Sequence, residues 1–234
     1  MTKPPRHPMR PALTLALVAA TLTSGCARME PRLQVPDEVK LALQRVDLPG
    51  IGLSRSGRSE VDGRAFSFSR SASSMRWFGA FDSGSGELSL SLEGEPALGA
   101  HCRSSRADLK LFGLHLEKPL ATECRVQHGA LQSEMRLWTR SMGSPSQGEE
   151  VHGEWTTADG ERVIVQSLHT NPAGGMLGRP LGFSIVRRGQ TLALVDVSHW
   201  QPRLYLPREA RAREDVLPVA MLMALLIQPG TSGN

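Results

Sequence analysis

The sequence predicts a mainly β fold, in which about twelve antiparallel strands form a barrel or a sandwich around or against one hydrophobic C-terminal helix. Between residues 64 and 206, apolar side chains recur at every second position, which is typical of strands with one buried and one polar face. Clusters of Gly, Pro, Asp, Asn and Ser separate these segments and indicate turns. Residues 216–227 carry no charged or hydrogen-bonding side chain, so a helix made of them must be enclosed by the rest of the chain.

The strand pattern is clearest where Leu88, Leu90 and Leu92 alternate with serines. Further strands are predicted at 64–69, 75–79, 98–103, 108–112, 114–118, 121–127, 131–139, 151–157, 162–168, 181–187, 191–197 and 203–206. Asp159-Gly160 and Arg188-Gly189-Gln190 are hairpin signals. A turn is predicted at 82–86, and loops at 50–63, 141–149 and 171–180. Strands with one polar face must close into a barrel or stack as a sandwich to hide their apolar faces and edges.

Residues 37–48 carry two patterns. Val39, Ala42, Leu43 and Val46 have helical spacing, and Pro36-Asp37 is a helix start signal. Val39, Leu41 and Leu43 also alternate as they would in a strand. The helix is the favoured interpretation, and the strand stays as the alternative.

The hydrophobic helix is predicted at 215–228. Asp215 is a suitable N-cap, which places Pro218 in the first turn, where its missing N–H costs little. The sequence Gln228-Pro229-Gly230 predicts the end of the helix. Twelve or thirteen residues span roughly 20 Å, whereas a bilayer core needs about 30 Å. We therefore predict a buried core helix, with an interfacial anchor or a membrane span as alternatives.

The pattern of the N-terminal residues predicts a targeting segment. Lys3, Arg6 and Arg10 precede an apolar stretch at 11–23, which is typical of a signal peptide over residues 1–25. The sequence Leu22-Thr-Ser-Gly-Cys26 resembles the bacterial lipoprotein signal, although Thr23 stands where Leu is commonest. An ordinary secretory signal is the alternative. Residues 26–36 then form a tether, and residues 37–230 form a single domain.

The lipoprotein resemblance implies a lipidated Cys26 and a location in the cell envelope. Because Ala27 rather than Asp follows that cysteine, it further implies an outer-membrane anchor facing the periplasm. Several lipid chains, at roughly 0.8 kcal/mol per buried CH₂, make a stable anchor.

Two cysteines remain, Cys102 and Cys124, an even number for an oxidising compartment. Each lies in a predicted strand. A disulfide between them would close a loop of about 22 residues and stabilise the fold by roughly 3 kcal/mol on the chain-entropy model. Two free buried thiols are the alternative.

The charge of the chain does not indicate a nucleic-acid partner. The formal net charge is +4 and the pI is about 9.3. Three of the basic residues lie in the signal segment, so the remainder is nearly neutral. No basic patch or stripe of the kind that binds nucleic acid is visible.

The domain pattern resembles a known superfamily. Many antiparallel strands are followed by Thr191-Leu-Ala-Leu-Val-Asp-Val197, a short acidic and basic stretch, and a hydrophobic C-terminal helix. This order, over residues 60–228 and best over 181–228, resembles the tubby and LURP-one-related superfamily, to which phospholipid scramblases belong by fold. The resemblance implies a closed twelve-stranded barrel around the C-terminal helix. The phosphoinositide-binding basic residues of that superfamily have no counterpart here, and its members are mostly cytosolic, whereas this chain is predicted to be exported.

No motif predicts catalysis. The seven histidines show no metal-binding spacing, and serine-hydrolase, phosphate-loop and dinucleotide fingerprints are lacking. Asp196 interrupts an apolar strand shortly before His199, so it is either half of an acid–base pair or, as we favour, a structural ion pair. Trp200 and Tyr205 either pack the corner before the helix, which we favour, or line a ligand mouth or membrane contact.

These observations predict a non-enzymatic protein without cofactor or metal. The first functional hypothesis is a membrane-anchored binding or scaffold module for an envelope protein. The alternative is a periplasmic carrier of lipid or another hydrophobic ligand. Nucleic acid is not an expected partner.

Overall fold

The structure is a computed structural model that describes residues 32–51, 54–77, 81–94, 97–111, 114–141, 149–170 and 180–226. Within these residues the chain forms two helices and twelve strands. In chain order they are α1 Asp37–Ala42, β1 Leu43–Asp47, β2 Ser56–Val61, β3 Arg64–Trp77, β4 Phe81–Leu92, β5 Leu98–Leu111, β6 Leu114–His128, β7 Leu131–Ser141, β8 Glu149–Thr156, β9 Arg162–Leu168, β10 Gly182–Arg187, β11 Gln190–Asp196, β12 Arg203–Pro207 and α2 Ala210–Leu225.

The strands form one antiparallel sheet in which β2 to β12 follow each other in chain order and β1 pairs with β12. The two edges are therefore β1 and β2, which are neighbours along the chain, and the sheet curls into a nearly closed barrel. Closure of this kind hides the strand edges that an open sheet would expose. The predicted mainly β fold with antiparallel strands and a C-terminal helix is confirmed, and the barrel is the correct alternative.

The described parts of the segment between β1 and β2 are bonded to the chain on both sides. Leu48 and Ile51 are fully buried, and the Leu48 N–H donates to the carbonyl of Pro202, just before β12, at 3.0 Å. The carbonyl of Arg55 accepts from the N–H of Arg70 at 2.7 Å, which ties the end of the segment to β3. The described ends of this segment are therefore held at the two edges of the sheet.

Helix α2 packs against the inner faces of the strands. Every residue from Val216 to Leu225 is buried, and all of them except Pro218 belong to the same apolar cluster as the inward side chains of the sheet. A helix that is apolar on all sides requires such an enclosure. The predicted buried core helix is therefore what the structure contains. None of the helices described has the length and apolar character that crossing a membrane would require.

The boundaries of α2 differ from the prediction. The helix begins at Ala210, so Asp215 lies inside it rather than at the N-cap, and Pro218 removes one interior hydrogen bond. Tertiary contacts hold the additional N-terminal turn: Arg213 donates to the carbonyl of Pro207 at 3.0 Å and to the carboxylate of Asp62 at 2.8 Å. The helix ends at Leu225, and the predicted stop at 228–230 lies outside the described residues.

The favoured helix at 37–48 is confirmed only for Asp37–Ala42, which form α1. Leu43–Asp47 form β1, whereas Val39 and Leu41 of the alternative strand pattern lie in the helix. The predicted loop at 50–63 is partly wrong, because β2 occupies Ser56–Val61 and pairs with β3. This short polar strand has one buried residue, Val61, so it lacks the apolar alternation on which the prediction relied. The hairpin turn that follows it places Asp62 and Gly63 at φ 52° and 75°, as a tight two-residue turn requires.

The predicted turn at 82–86 is also wrong, because these residues lie within β4. Gly84 and Gly86 favour turns in isolation, but here each has a strand partner on both sides, in β3 and β5. Cross-strand pairing overrides the local preference. For the same reason the strands predicted separately at 98–103 and 108–112 form one strand, β5, and those at 114–118 and 121–127 form β6.

A charge placed on the buried helix tests this architecture. We expect Leu222→Arg to prevent folding, because the fully buried side chain would carry an unpaired charge into the core. The matched control is Leu41→Arg, since Leu41 is 78% exposed on α1. Circular dichroism and thermal melting would measure both variants. A folded Leu222→Arg protein with an unchanged melting temperature would contradict the enclosure of α2.

Candidate functional site

Cys102 and Cys124 form a disulfide inside the barrel. They are directly opposite each other on β5 and β6, their Cα atoms are 4.0 Å apart, and both are buried. Of the two alternatives left by the sequence, the bonded pair is the one found. The bridge links neighbouring strands within the core, so its role is structural.

The third cysteine, Cys26, lies outside the described residues, but the chain that follows it is described from Arg32 onward. Leu33 and Val35 are buried in a second apolar cluster on the outer face of the sheet. The other members of this cluster are Leu43, Leu181, Leu194 and Tyr205. The last residues of the predicted tether therefore differ from the expectation, since they are packed against β10–β12.

Gly182 makes room for this packing. A Cβ atom at Gly182 would lie 2.7 Å from Cδ2 of Leu33 and would collide with the carbonyl oxygen of Val195. Only a residue without a side chain lets Leu33 approach the strand so closely. The fit between Leu33 and Gly182 therefore fixes where the N-terminal segment meets the barrel.

A polar cluster lies beside this contact, where β11 ends. We call Asp196, Ser198, His199 and Arg203 the β11–β12 cluster. The buried carboxylate of Asp196 accepts from the backbone N–H and the hydroxyl of Ser198, at 2.9 and 2.5 Å. The Ser198 Oγ in turn accepts from the N–H of Leu33 at 3.0 Å. The buried charge thus has hydrogen-bond partners, and one of them holds the N-terminal segment.

His199 completes the cluster. Its Nε2 atom lies 3.4 Å from Oδ2 of Asp196 and accepts from Nη1 of Arg203 at 2.8 Å. Burial lowers the pKa of His199; Asp196 opposes this shift, and the guanidinium of Arg203 adds to it. A nitrogen that accepts from a guanidinium carries no proton of its own, so the geometry and the lowered pKa agree on a neutral imidazole.

The β11–β12 cluster does not have the arrangement of a catalytic triad. In a triad the serine hydroxyl bonds to the histidine that removes its proton. Here the hydroxyl of Ser198 donates to Asp196, and its oxygen accepts from the backbone N–H of Leu33. The favoured ion pair is not what this geometry contains, because the imidazole is neutral and the Asp196 carboxylate accepts from Ser198. The role of the cluster is nevertheless structural, since it holds a loop and the N-terminal segment together.

Arg70 is a buried charge that the sequence reasoning missed. It is 8% exposed on the inner face of β3, and its guanidinium donates to the carbonyls of Ser54 at 2.7 Å and Leu225 at 3.0 Å. Burial lowers its pKa. A cation at this place satisfies a free carbonyl of the last turn of α2 and complements the negative end of the helix dipole. Arg70 lies two residues after the inward-facing Phe68, so the alternation of the strand was the sequence signal that could have placed it on the inner face.

Further polar side chains line the inner face of the sheet. The hydroxyls of Ser104 and Thr122 bond to each other at 2.8 Å across β5 and β6. The Ser167 hydroxyl lies 2.8 Å from Nε2 of His169 and accepts from the N–H of Val151 at 2.8 Å. These groups satisfy one another, as buried polar groups must.

Within the described ranges, no group of three or more His, Cys, Asp or Glu residues is placed to hold a metal ion. No family model, curated protein or solved structure matches this chain. The resemblance to the tubby and LURP-one-related superfamily therefore stays a prediction, and the functional argument depends on the geometry.

The contact between Leu33 and Gly182 gives a direct test. We expect Gly182→Ala to destabilise the protein by about 1–3 kcal/mol, because the added methyl overpacks against Leu33 and the backbone of Val195. Gly99→Ala is the matched control, since nothing lies within 4 Å of a Cβ there. Thermal melting would compare the two. Equal stability of both variants would show that Leu33 does not pack as described.

The lowered pKa of His199 predicts a pH dependence of stability. The unfolded chain, with a histidine pKa near 6.5, takes up a proton before the folded protein does, so stability falls as the pH drops below that value. We expect His199→Gln to lose less stability than the wild type between about pH 7 and 5. His101→Gln, on the exposed face of β5, is the control. Urea unfolding at several pH values would measure the difference, and identical wild-type and His199→Gln profiles would contradict it.

Proposed function

We propose that this protein is a lipid-anchored, non-catalytic binding or scaffold module of the bacterial cell envelope, facing the periplasm. The observation that carries the proposal is the burial of α2 among the described inward side chains of the barrel. Residues Val216–Leu225 are all buried, and all except Pro218 belong to one cluster with those side chains. With this part of the interior occupied by the protein's own helix, recognition takes place on the outer surface and at the loops.

The filled interior also separates this function from that of a hydrophobic-ligand carrier. A carrier needs an apolar cavity that takes up most of the ligand surface. The apolar inner faces of β11 and β12, which such a ligand would contact, pack instead against residues of α2, and Leu204, Leu206 and Leu222 are all fully buried. The scaffold is therefore the function that the geometry favours.

Three features support the anchor and the compartment. The sequence that ends at Cys26 resembles a lipoprotein signal. The disulfide between Cys102 and Cys124 is of a kind that persists in oxidising compartments such as the periplasm. The chain that follows the anchor is packed on the barrel from Leu33 onward, so the domain would be held close to the membrane.

The non-catalytic part of the proposal is supported by the β11–β12 cluster. Among the described residues, this cluster brings a serine, a histidine and an aspartate together, and its hydroxyl group is already bonded to Asp196 and Leu33. Its histidine accepts from Arg203 rather than from the serine. These contacts leave no activated nucleophile.

The outer surface offers a testable contact point for a protein partner. Trp138 is 40% exposed on β7 and stacks on His152 of β8, with ring centroids 6.4 Å apart. Exposed tryptophans are enriched among the residues that dominate binding energy in protein interfaces. The outer face of β4 carries serines at Ser89 and Ser91 instead, so it serves as a comparison surface.

The anchor is tested by labelling cells with a radioactive fatty acid. We expect the wild-type protein to incorporate the label and to sediment with membranes. Cys26→Ser removes the acceptor sulfur and is expected to lose both properties. An unlabelled wild-type protein, or a Cys26→Ser protein that is labelled equally, would contradict the anchor.

The scaffold is tested by photo-crosslinking in intact cells. A photoreactive amino acid at Trp138 is expected to yield a defined protein adduct, and the same group at Ser89 is the matched control. Mass spectrometry of lipid extracted from the purified protein tests the carrier. Stoichiometric bound lipid together with no protein adduct at either position would contradict the scaffold and favour the carrier.

A further inference from the structure

The loop between β11 and β12 presents a large aromatic side chain to solvent. Trp200 is 73% exposed, whereas Pro202 in the same loop is buried. Tyr205 packs into the outer apolar cluster, so the predicted corner packing holds for Tyr205 and not for Trp200. An exposed indole, with an apolar body and one N–H donor, is suited to a boundary between polar and apolar surroundings.

The same loop receives the N-terminal segment. The hydroxyl of Ser198, two residues before Trp200, accepts from the backbone N–H of Leu33 at 3.0 Å. The side chain of Leu33 lies against Gly182, beside the end of β11. The chain that comes from Cys26 therefore meets the barrel at the β11–β12 loop and not at the opposite end of the strands.

Cys26 is close along the chain to the residue that meets this loop. Six residues lie between Cys26 and Leu33, so seven Cα–Cα steps join them, which is at most roughly 24 Å for a fully extended chain. A flexible chain of seven steps has an average span of about 15 Å. A bilayer that holds lipid chains on Cys26 therefore lies within reach of the β11–β12 loop.

The charges around the loop are compatible with a phospholipid surface. Arg32, the first described residue, is exposed, and Arg45 and Arg203 lie on either side of Asp47, at 3.0 and 3.6 Å from its carboxylate oxygens. Asp196, a further acid among the described residues here, is buried and 2% exposed. Of the described residues around the loop, the exposed charges are thus mainly basic, which favours contact with lipid phosphate groups.

We propose that Trp200 inserts into the interfacial layer of the bilayer in which Cys26 is anchored. This inference rests on the proposed lipid anchor. The contact orients the barrel, with the β11–β12 loop toward the membrane. The hairpin turn at Arg188–Gly189, at the other end of β11, then points away from the membrane.

The test uses the protein purified with its anchor and reconstituted into phosphatidylethanolamine and phosphatidylglycerol vesicles whose acyl chains are brominated near the headgroup. Bromine quenches a tryptophan that contacts the interface. We expect quenching in the wild type and in the control Trp138→Phe, and a reduction of about twofold or more in Trp200→Phe. Because Trp200 is exposed, this substitution is expected to leave the thermal melting curve unchanged.

Equal quenching of the wild type and Trp200→Phe overturns the membrane contact. Vesicle flotation of wild type and Cys26→Ser separates this result from failure of the anchor. If the wild type floats through Cys26 but Trp200 is not quenched, only the contact is wrong. If the wild type does not float, or floats equally well as Cys26→Ser, the anchor is wrong and the inference falls with it.

Discussion

The structure depends on the removal of one apolar helix from water. No residue of α2 from Val216 to Leu225 has a polar side chain, so no orientation on a protein surface would suit it. The inner faces of the strands have the complementary requirement, because their alternation leaves a largely apolar surface among the described residues. Each large side chain that is fully buried here contributes about 1.5–3 kcal/mol. Barrel and helix therefore stabilise each other.

The polar groups of the interior show how this enclosure is completed. Arg70 lies where α2 ends, and its guanidinium bonds to the carbonyl of Leu225. A buried cation would be costly in an apolar core, but here it satisfies backbone groups that would otherwise lose their hydrogen bonds. Leu48 and Ile51, from the segment between β1 and β2, are fully buried in the same core. The enclosure thus includes strands, part of a connecting segment and one charged side chain.

The functional proposals depend on the burial of α2 inside the barrel and on the residues that remain exposed on its outer surface. Because the interior is occupied by the helix, binding is assigned to the outer surface. The N-terminal segment shows at which end of the strands the chain from Cys26 arrives, since Leu33 is held by Gly182 and Ser198 at the β11–β12 loop. A lipid on Cys26 would place this loop, and Trp200 with it, nearest the membrane. In the proposed arrangement, the orientation of the barrel follows from this one contact.

The sequence by itself determined the mainly β class, the alternation of the strands, the hydrophobic helix and the two cysteines in strands, because these features are local and repeat with the period of the structure. Only the tertiary structure decided between barrel and sandwich, placed β2 and the glycines of β4 in the sheet, and started α2 at Ala210. It also decided the roles of Arg70 and of the Leu33–Gly182 contact. Each of these depends on partners distant in sequence, whose positions no local pattern contains.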